Sequence, residues 1–285
     1  MPAGAYRFQV GSIGCAVLAD GYGSYPATWF FPNADPQRLA LALEERRLPL
    51  DAILSPYACL LIQTGRRVIL VDAGAGESSP TTGAIRARLE AEGIRAGDVD
   101  TVILSHAHPD HIGGAVDPRG RPVFPNARYV LSEIEMEFWT EGRPGLGELR
   151  VPPDVKRRIE TTARRCLEAL RFHLEPVDGE REICPGVRTI PAPGHTAGHL
   201  AIVVESGGER LLNMCDAALH PLHLAQPEWE NGFDVAPQQA VATRRALAGR
   251  AAADNMRLMA FHFPFPSVGR AAPRQDGGWD WEPGW

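Results

Sequence analysis

The stretch His106-Ala107-His108-Pro109-Asp110-His111 sets three imidazoles and a carboxylate within six consecutive positions, directly after the apolar run Val102-Ile103-Leu104. Imidazole nitrogen and carboxylate oxygen are donors that zinc takes in catalytic sites, where one coordination position stays open for water. Imidazoles two residues apart at a strand end, followed by a carboxylate and a third imidazole, can face two ions at once. The chemistry such a cluster supports is metal-assisted hydrolysis.

Further ligand types stand where strand-end loops should supply them. His195 falls in Pro193-Gly194-His195-Thr196-Ala197-Gly198-His199, between two expected strands. Asp216 follows the apolar run that begins at Leu211, and His262 sits near the end of Leu258–Phe263, before Pro264. Loops at one edge of a sheet are a common place for α/β active sites. Taken singly, each histidine fits a surface or core position equally well, and His173, His220 and His223 are read that way by default. The argument for a site is their conjunction at strand ends.

The elements that must position these groups follow from periodicity and punctuation. Residues 6–20 read as one or two strands, and 21–36 as an irregular aromatic arm (Tyr22, Tyr25, Trp29, Phe30, Phe31) broken by Gly and Pro. A helix is expected over 36–47 with Asp35 as N-cap. Strands at 58–63 and 67–72 flank the turn Thr64-Gly65-Arg66. A helix over 83–92 precedes the buried strand 101–105, and a strand at 127–131 precedes a helix starting at 133. Residues 154–171 form the clearest amphipathic helix, with Val155, Ile159, Ala163, Leu167 and Leu170 on one face and Arg157, Arg158, Arg164 and Arg165 on a solvated one. Strands at 187–190, 199–205 and 210–215, a helix over 237–253 and a strand at 258–263 complete the pattern. The tail 277–285 carries three tryptophans and is expected on the surface or at a subunit contact. No repeat, linker or composition break interrupts the chain, so residues 1–285 read as a single domain.

Composition narrows the partners. With 44% hydrophobic and 22% charged residues the chain reads as an ordinary soluble globular protein. Its net charge is −6 without a basic stripe, which argues against nucleic acid. The five scattered cysteines lack any Cys-x-x-Cys pair and suit a reducing compartment. No signal-peptide pattern opens the chain and no apolar run approaches a bilayer span, so a cytoplasmic location and no membrane partner are expected.

The whole pattern resembles the metallo-β-lactamase superfamily over most of the chain. The resemblance implies an α/β fold, a four-layer αβ/βα sandwich, with two divalent ions, zinc above all, as cofactors. It implies His106, His108 and His195 for the first ion, Asp110, His111 and His262 for the second, and Asp216 bridging both. Asp72, in Val-Asp-Ala-Gly, matches a carboxylate that orients a ligand imidazole from outside the coordination sphere, and His199 matches a recurrent supporting position. Iron-binding oxygen reductases of this fold usually carry Glu where this chain has His108, which favours hydrolysis over redox chemistry. The implied mechanism is attack by a metal-bridging hydroxide, oriented by Asp110 or Asp216, with Asp216 as proton shuttle.

Local features resemble the methyl parathion hydrolase and related lactonase branch: His262-Phe263-Pro264-Phe265-Pro266-Ser267-Val268-Gly269, His220 four residues past Asp216, and Trp229 before Phe233-Asp234. In that reading Trp29, Phe30, Phe31, Phe138, Trp139 and Trp229, with Phe263, wall an apolar vestibule, and His220 contacts a substrate oxygen or a metal ligand. The function implied is cleavage of a lactone or carboxylic ester with an apolar group. Organophosphate triester hydrolysis and a glyoxalase-type thioesterase are the enzymatic alternatives, and a metal-stabilised scaffold or sensor is the non-enzymatic one. The partners expected are a small-molecule substrate and a second copy of the chain in a homodimer. Two departures matter. Leu219 stands where well-known acyl-homoserine lactonases carry Tyr, and Cys215 where Gly commonly precedes the bridging Asp.

Overall fold

Runs such as Ala58-Cys59-Leu60-Leu61-Ile62 and Leu200-Ala201-Ile202-Val203-Val204 are apolar at every position, so a strand built from them must be covered on both faces. The computed structural model, which describes residues 4–65, 67–142 and 144–284, meets that requirement with two seven-stranded sheets. The first contains, in spatial order, β1 (Ala5–Val10), β2 (Ile13–Tyr25), β3 (Ile53–Thr64), β4 (Arg67–Val71), β5 (Thr101–Ile103), β6 (Arg128–Ser132) and β7 (Leu174–Val177). It is antiparallel from β1 to β4 and parallel from β4 to β7. The second runs from β8 (Arg181–Cys184) through β9 (Val187–Pro191), β10 (Leu200–Ser206), β11 (Glu209–Asn213), β12 (Arg257–Met259) and β13 (Val268–Pro273) to β14 (Trp279–Pro283). Only β11 and β12 pair in parallel there.

Eight helices accompany them among the described residues: α1 (Ala27–Phe30), α2 (Pro36–Glu45), α3 (Ile85–Ala91), α4 (Pro109–Ile112), α5 (Glu133–Thr140), α6 (Pro153–Leu170), α7 (Leu222–Ala225) and α8 (Pro237–Ala253). The period of two then sorts the apolar side chains. Ala58, Leu60 and Ile62 of β3 meet Leu200, Ile202 and Val204 of β10 between the sheets. Tyr57, Cys59 and Leu61 turn the other way, onto Leu89 of α3 and Ile159, Ala163 and Leu167 of α6. Ala201 and Val203 of β10 pack on Leu247, Ala248 and Ala251 of α8. Helix, sheet, sheet, helix: the arrangement is the expected αβ/βα sandwich. No helix of the described residues is long and apolar enough to cross a membrane.

The differences from expectation have local causes. Residues 21–25 continue β2 past a bulge between Ala19 and Gly21 instead of forming an irregular arm. Gly21 and Gly23 read as breakers, but they are points of close approach: a Cβ at Gly21 would lie 2.0 Å from the Thr81 carbonyl oxygen. Asp35 does cap α2, accepting from the amides of Gln37 and Arg38. The strand expected over 258–263 stops at Met259, so His262 stands on a loop. The tryptophan tail is an edge hairpin, β13–β14, with Trp279 and Trp281 packed against the α8 layer. Trp285 and Arg66, on which the tail and the 64–66 turn partly rest, lie outside the described residues.

Candidate metal centre

The site gathers where strands of both sheets end. Beyond β5 come Ser105, His106 and His108, and α4 then turns Asp110 and His111 back over the sheet. Beyond β9 comes His195, beyond β11 Asp216 and beyond β12 His262. Three overlapping groups of donors result: His106 with His108 and His195; His106 with His111 and Asp216; Asp110 with His111 and His262. Within each group the donor atoms lie within 4.8 Å of one another. Asp216 Oδ2 is the meeting point, 3.2 Å from His262 Nε2, 3.3 Å from both His111 Nε2 and His195 Nε2, and 3.9 Å from His106 Nε2.

Hydrogen bonds on the far side of four of the rings turn the other nitrogen toward that centre, whereas His108 meets His195 Nε2 with its own Nδ1 at 2.9 Å. His111 Nδ1 donates to Asp72 Oδ2 at 2.8 Å, and His195 Nδ1 donates to Asp234 Oδ1 at 2.8 Å. His262 Nδ1 donates to the Pro56 carbonyl at 3.0 Å and lies 2.9 Å from Ser55 Oγ. His106 Nδ1 is 3.0 Å from Ser105 Oγ, which donates to Asp72 Oδ2. Such partners fix the tautomer and raise the basicity of the opposite nitrogen. His106 Nε2, His108 Nε2, His111 Nε2 and Asp216 Oδ1 are buried without a hydrogen-bond partner. Orphaned buried acceptors are costly, and here they cluster in nitrogen and carboxylate oxygen, the donor set that suits a divalent ion. The residues therefore fit the two ions.

Asp72 touches His111, and through Ser105 also His106. His199 supports the backbone: Nδ1 donates to the Ala192 carbonyl and Nε2 accepts the Asp216 amide at 3.1 Å. Four buried groups, Ser105 among them, escaped the sequence reading. Glu135 accepts from the amides of Ala107 and Gly198 with its two oxygens, tying the first histidine loop to the third. Gly198 permits this, since a Cβ there would sit 2.2 Å from the Glu135 amide nitrogen. Asp234 braces His195 and pairs with the buried Arg244. The only hints were the four-residue spacing of Glu135 and Trp139 on α5 and a Phe-Asp pair on a loop.

A cavity of about 620 Å³ opens over the centre, and His108, Asp110, His195, Asp216 and His262 line it. Its walls correct the expected vestibule. Of the seven aromatic residues proposed for it, only Phe30 lines it, joined by Tyr25, Tyr57, Leu219 and Phe233. Phe31 and Trp229 are buried against one another and the His223 ring. Trp139 is buried because its Nε1 donates to Glu135 Oε1 at 2.7 Å, and Phe138 packs on its edge. Trp29 packs behind the wall, tilted against Tyr25 and edge-on to Phe233, and Phe263 is buried under the α8 layer. His220 does not line the cavity. Its Nδ1 accepts the Leu222 amide and its ring meets Phe31 edge-on. Cys215, with φ 46° in the left-handed region, is fully buried, and it belongs to none of the donor groups.

Burial holds three imidazoles outside the donor groups neutral: His199 and His220 are each pulled down to about 3, and His223 well below the ordinary value. Below pH 6.5 the unfolded chain binds protons that these rings refuse, so stability present above 6.5 is lost as pH falls toward 3. His199 and His220 each contribute about 1.4 kcal/mol per pH unit, or roughly 2 kcal/mol between pH 6.5 and 5, and His223 acts in the same direction. His195 acts oppositely. Burial opposes its charge, but Asp216 and Asp234 outweigh it and lift it to about 9, so its share is present below 6.5 and lost through pH 9. Urea unfolding of chelated protein should therefore show a sharply lower midpoint at pH 5 than at pH 6.5. Equal midpoints would contradict the neutral buried rings.

Comparison with known proteins agrees with this geometry. Residues 52–259 match the family model described as the metallo-beta-lactamase superfamily. A probable metallo-hydrolase of Mycobacterium tuberculosis is 28% identical over 190 residues, 56% of this chain and 56% of that protein. An N-acyl homoserine lactonase of a Bacillus species is 25% identical over 171 residues, 53% of this chain and 59% of that protein. The chain thus spans a little over half the length of these curated relatives. Among solved structures, AidC, a dizinc quorum-quenching lactonase in complex with a product, N-hexanoyl-L-homoserine, superposes with a TM-score of 0.92 at 28% identity, covering 99% of this chain and 98% of that one.

Proposed function

The chain belongs to the metallo-β-lactamase superfamily, and from that premise we propose that it is a dinuclear metal-dependent hydrolase that opens a lactone or cleaves a carboxylic ester bearing an apolar group. The observation that carries the reading is the convergence of His106, His108, Asp110, His111, His195, Asp216 and His262 on one end of a cavity whose walls include Phe30, Ile159, Leu219 and Phe233. His106, His108 and His195 would hold one ion, Asp110, His111 and His262 the other, with Asp216 between them. The lactonases among the similar proteins support the substrate class. Zinc is the ion this nitrogen and oxygen set favours, although neighbouring divalent metals accept similar donors.

When bound, the two ions polarise the substrate's acyl oxygen and lower the pKa of water toward about 7. The side chains do the rest. The apolar wall takes the hydrocarbon part of the substrate and excludes water from it. Asp110 Oδ2 lies 3.4 Å from His262 Nε2 and its side chain keeps 21% of its surface exposed, whereas Asp216 keeps 3% and is ringed by imidazoles. Asp110 is therefore the better carrier of a proton from the attacking water to the departing oxygen, and Asp216 the fixed anion. That reverses the shuttle role expected from sequence.

Protein reconstituted with zinc, compared with chelated protein, on a γ-lactone, an aryl ester, a thioester and a phosphotriester is the direct test. Turnover of the lactone and ester should vanish on chelation and return with zinc. Stoichiometric metal with no turnover on any of the four would leave a scaffold or sensor, and a preference for the phosphotriester would overturn the substrate class.

A further inference from the structure

Leu219 brings no polar atom to the cavity wall, yet two phenols reach the same space from the first sheet. Tyr25 ends β2 and Tyr57 lies in β3, where the register pairs Tyr25 with Ile53, Gly23 with Ser55 and Gly21 with Tyr57. Side chains two apart share a face, so Tyr25, Gly23, Ser55 and Tyr57 all point to the cavity side of the sheet. Gly23 lies between the two phenols and leaves the gap they need: a Cβ there would lie 2.6 Å from both Tyr57 Oη and Tyr25 Cε2. The two hydroxyls close to 2.6 Å over it. Beside them Ser55 Oγ contacts His262, and the Tyr57 ring stands edge-on to the same imidazole at 5.5 Å.

Two hydroxyls joined by one hydrogen bond hold two protons, and only one lies between them. Tyr57 is 5% exposed and has no other hydrogen-bond partner among the described residues, while Tyr25 is partly exposed to the cavity. Were Tyr25 the donor, the Tyr57 proton would be buried and unpaired, which costs about 1–3 kcal/mol. With Tyr57 donating, the Tyr25 proton points to open space where water or a ligand accepts it. Burial and the charge of Asp110 push the Tyr25 phenol up to about 12, so it remains a donor at neutral pH.

We propose that the Tyr25 hydroxyl donates a hydrogen bond to the acyl oxygen of the substrate as negative charge develops on it, with Tyr57 as the positioning residue that aims and polarises Tyr25. The inference rests on the hydrolase reading above. It assigns the donor to β2 and β3, opposite the loop that carries Asp216 and Leu219. Tyr57 adds to the strength of the donor because a hydroxyl that accepts one bond donates the next more strongly.

The test compares wild type, Tyr25→Phe, Tyr57→Phe and Gly23→Ala, each zinc-loaded, on an alkyl-substituted γ-lactone and on phenyl esters of graded leaving-group ability. Tyr25→Phe should lower kcat by about 10²-fold, the low end for a lost oxyanion donor, with KM within about threefold. The loss should be equal across the leaving groups, because the acyl oxygen is common to all of them. Tyr57→Phe should lower kcat by about 10-fold without loss of zinc or thermal midpoint, and Gly23→Ala, whose methyl group would push the two phenols apart, should lower kcat by about 10-fold with zinc retained. An active wild type with Tyr25→Phe within twofold in kcat overturns the proposal alone, and so does a Tyr25→Phe protein that loses zinc. A zinc-loaded wild type inert on every lactone and ester overturns the hydrolase reading, and this assignment with it.

Discussion

Replacing Asp216 by alanine should empty both ion positions and abolish turnover while leaving the metal-free fold intact. Its Oδ2 is the one atom that faces His106, His111, His195 and His262 together. Loss of a single preorganised electrostatic partner already costs on the order of 10²–10³ in kcat, and a group shared by both positions should exceed that. The fold should survive because the charged imidazoles keep other carboxylates: His111 retains Asp72 and His195 retains Asp234. The measurement is paired. Elemental analysis after zinc reconstitution should fall from two equivalents to less than one. Thermal midpoints of wild type and Asp216→Ala should agree in chelator and separate in excess zinc, because only wild type gains the stabilisation that binding to the folded state confers. A variant that keeps two equivalents and more than a tenth of wild-type activity would remove Asp216 from the centre.

What was readable in the sequence and what was not divides along a physical line. The seven residues that converge in the candidate centre were legible as a group because their chemistry is rare, and because each follows an apolar strand or sits in a Gly/Pro turn. The four layers were legible through the resemblance, and the apolar runs of β3 and β10 agree with it, since a strand apolar on both faces needs a doubly covered sheet. Asp72 was legible through the resemblance, which matches a carboxylate at Val-Asp-Ala-Gly. Glu135, Asp234, Ser105 and Arg244 were not, since a buried polar group is explained by partners far away in the chain: Glu135 by the amides of residues 107 and 198, Arg244 by carbonyls of residues 217, 227 and 229. Aromatic residues were the opposite failure. Trp139, Phe31 and Trp229 carry the same side chains whether they wall a cavity or fill a core, and only contacts decide. Tyr25 and Tyr57 reach the cavity because two glycines that read as chain breaks let β2 continue to its rim.

Arg244→Met should both destabilise the protein and loosen its hold on the ion bound by His195. Arg244 lies on α8 and is 1% exposed. Its Nε donates to the Ala217 carbonyl at 2.8 Å and its Nη1 to the carbonyls of Pro227 and Trp229 at 3.0 and 2.7 Å. Its Nη2 lies 3.8 Å from Asp234 Oδ2. Burial pulls the guanidinium down only to about 10, so it is charged at neutral pH. One cation thus ties the residue after Asp216 to the loop that ends in Asp234, and Asp234 aims His195. Methionine fills similar space but strands a buried carboxylate and three carbonyls, a loss of about 3–5 kcal/mol. Weakened support for His195 should lower zinc affinity by about 10–100-fold. Arg244→Lys restores charge without the planar fork that reaches several acceptors, so it should recover part of the stability and little of the affinity. Urea unfolding in chelator reads the first quantity, and competition with a zinc-binding dye reads the second. Stability within about 1 kcal/mol of wild type, together with unchanged zinc affinity, would show that His195 holds its aim without this brace.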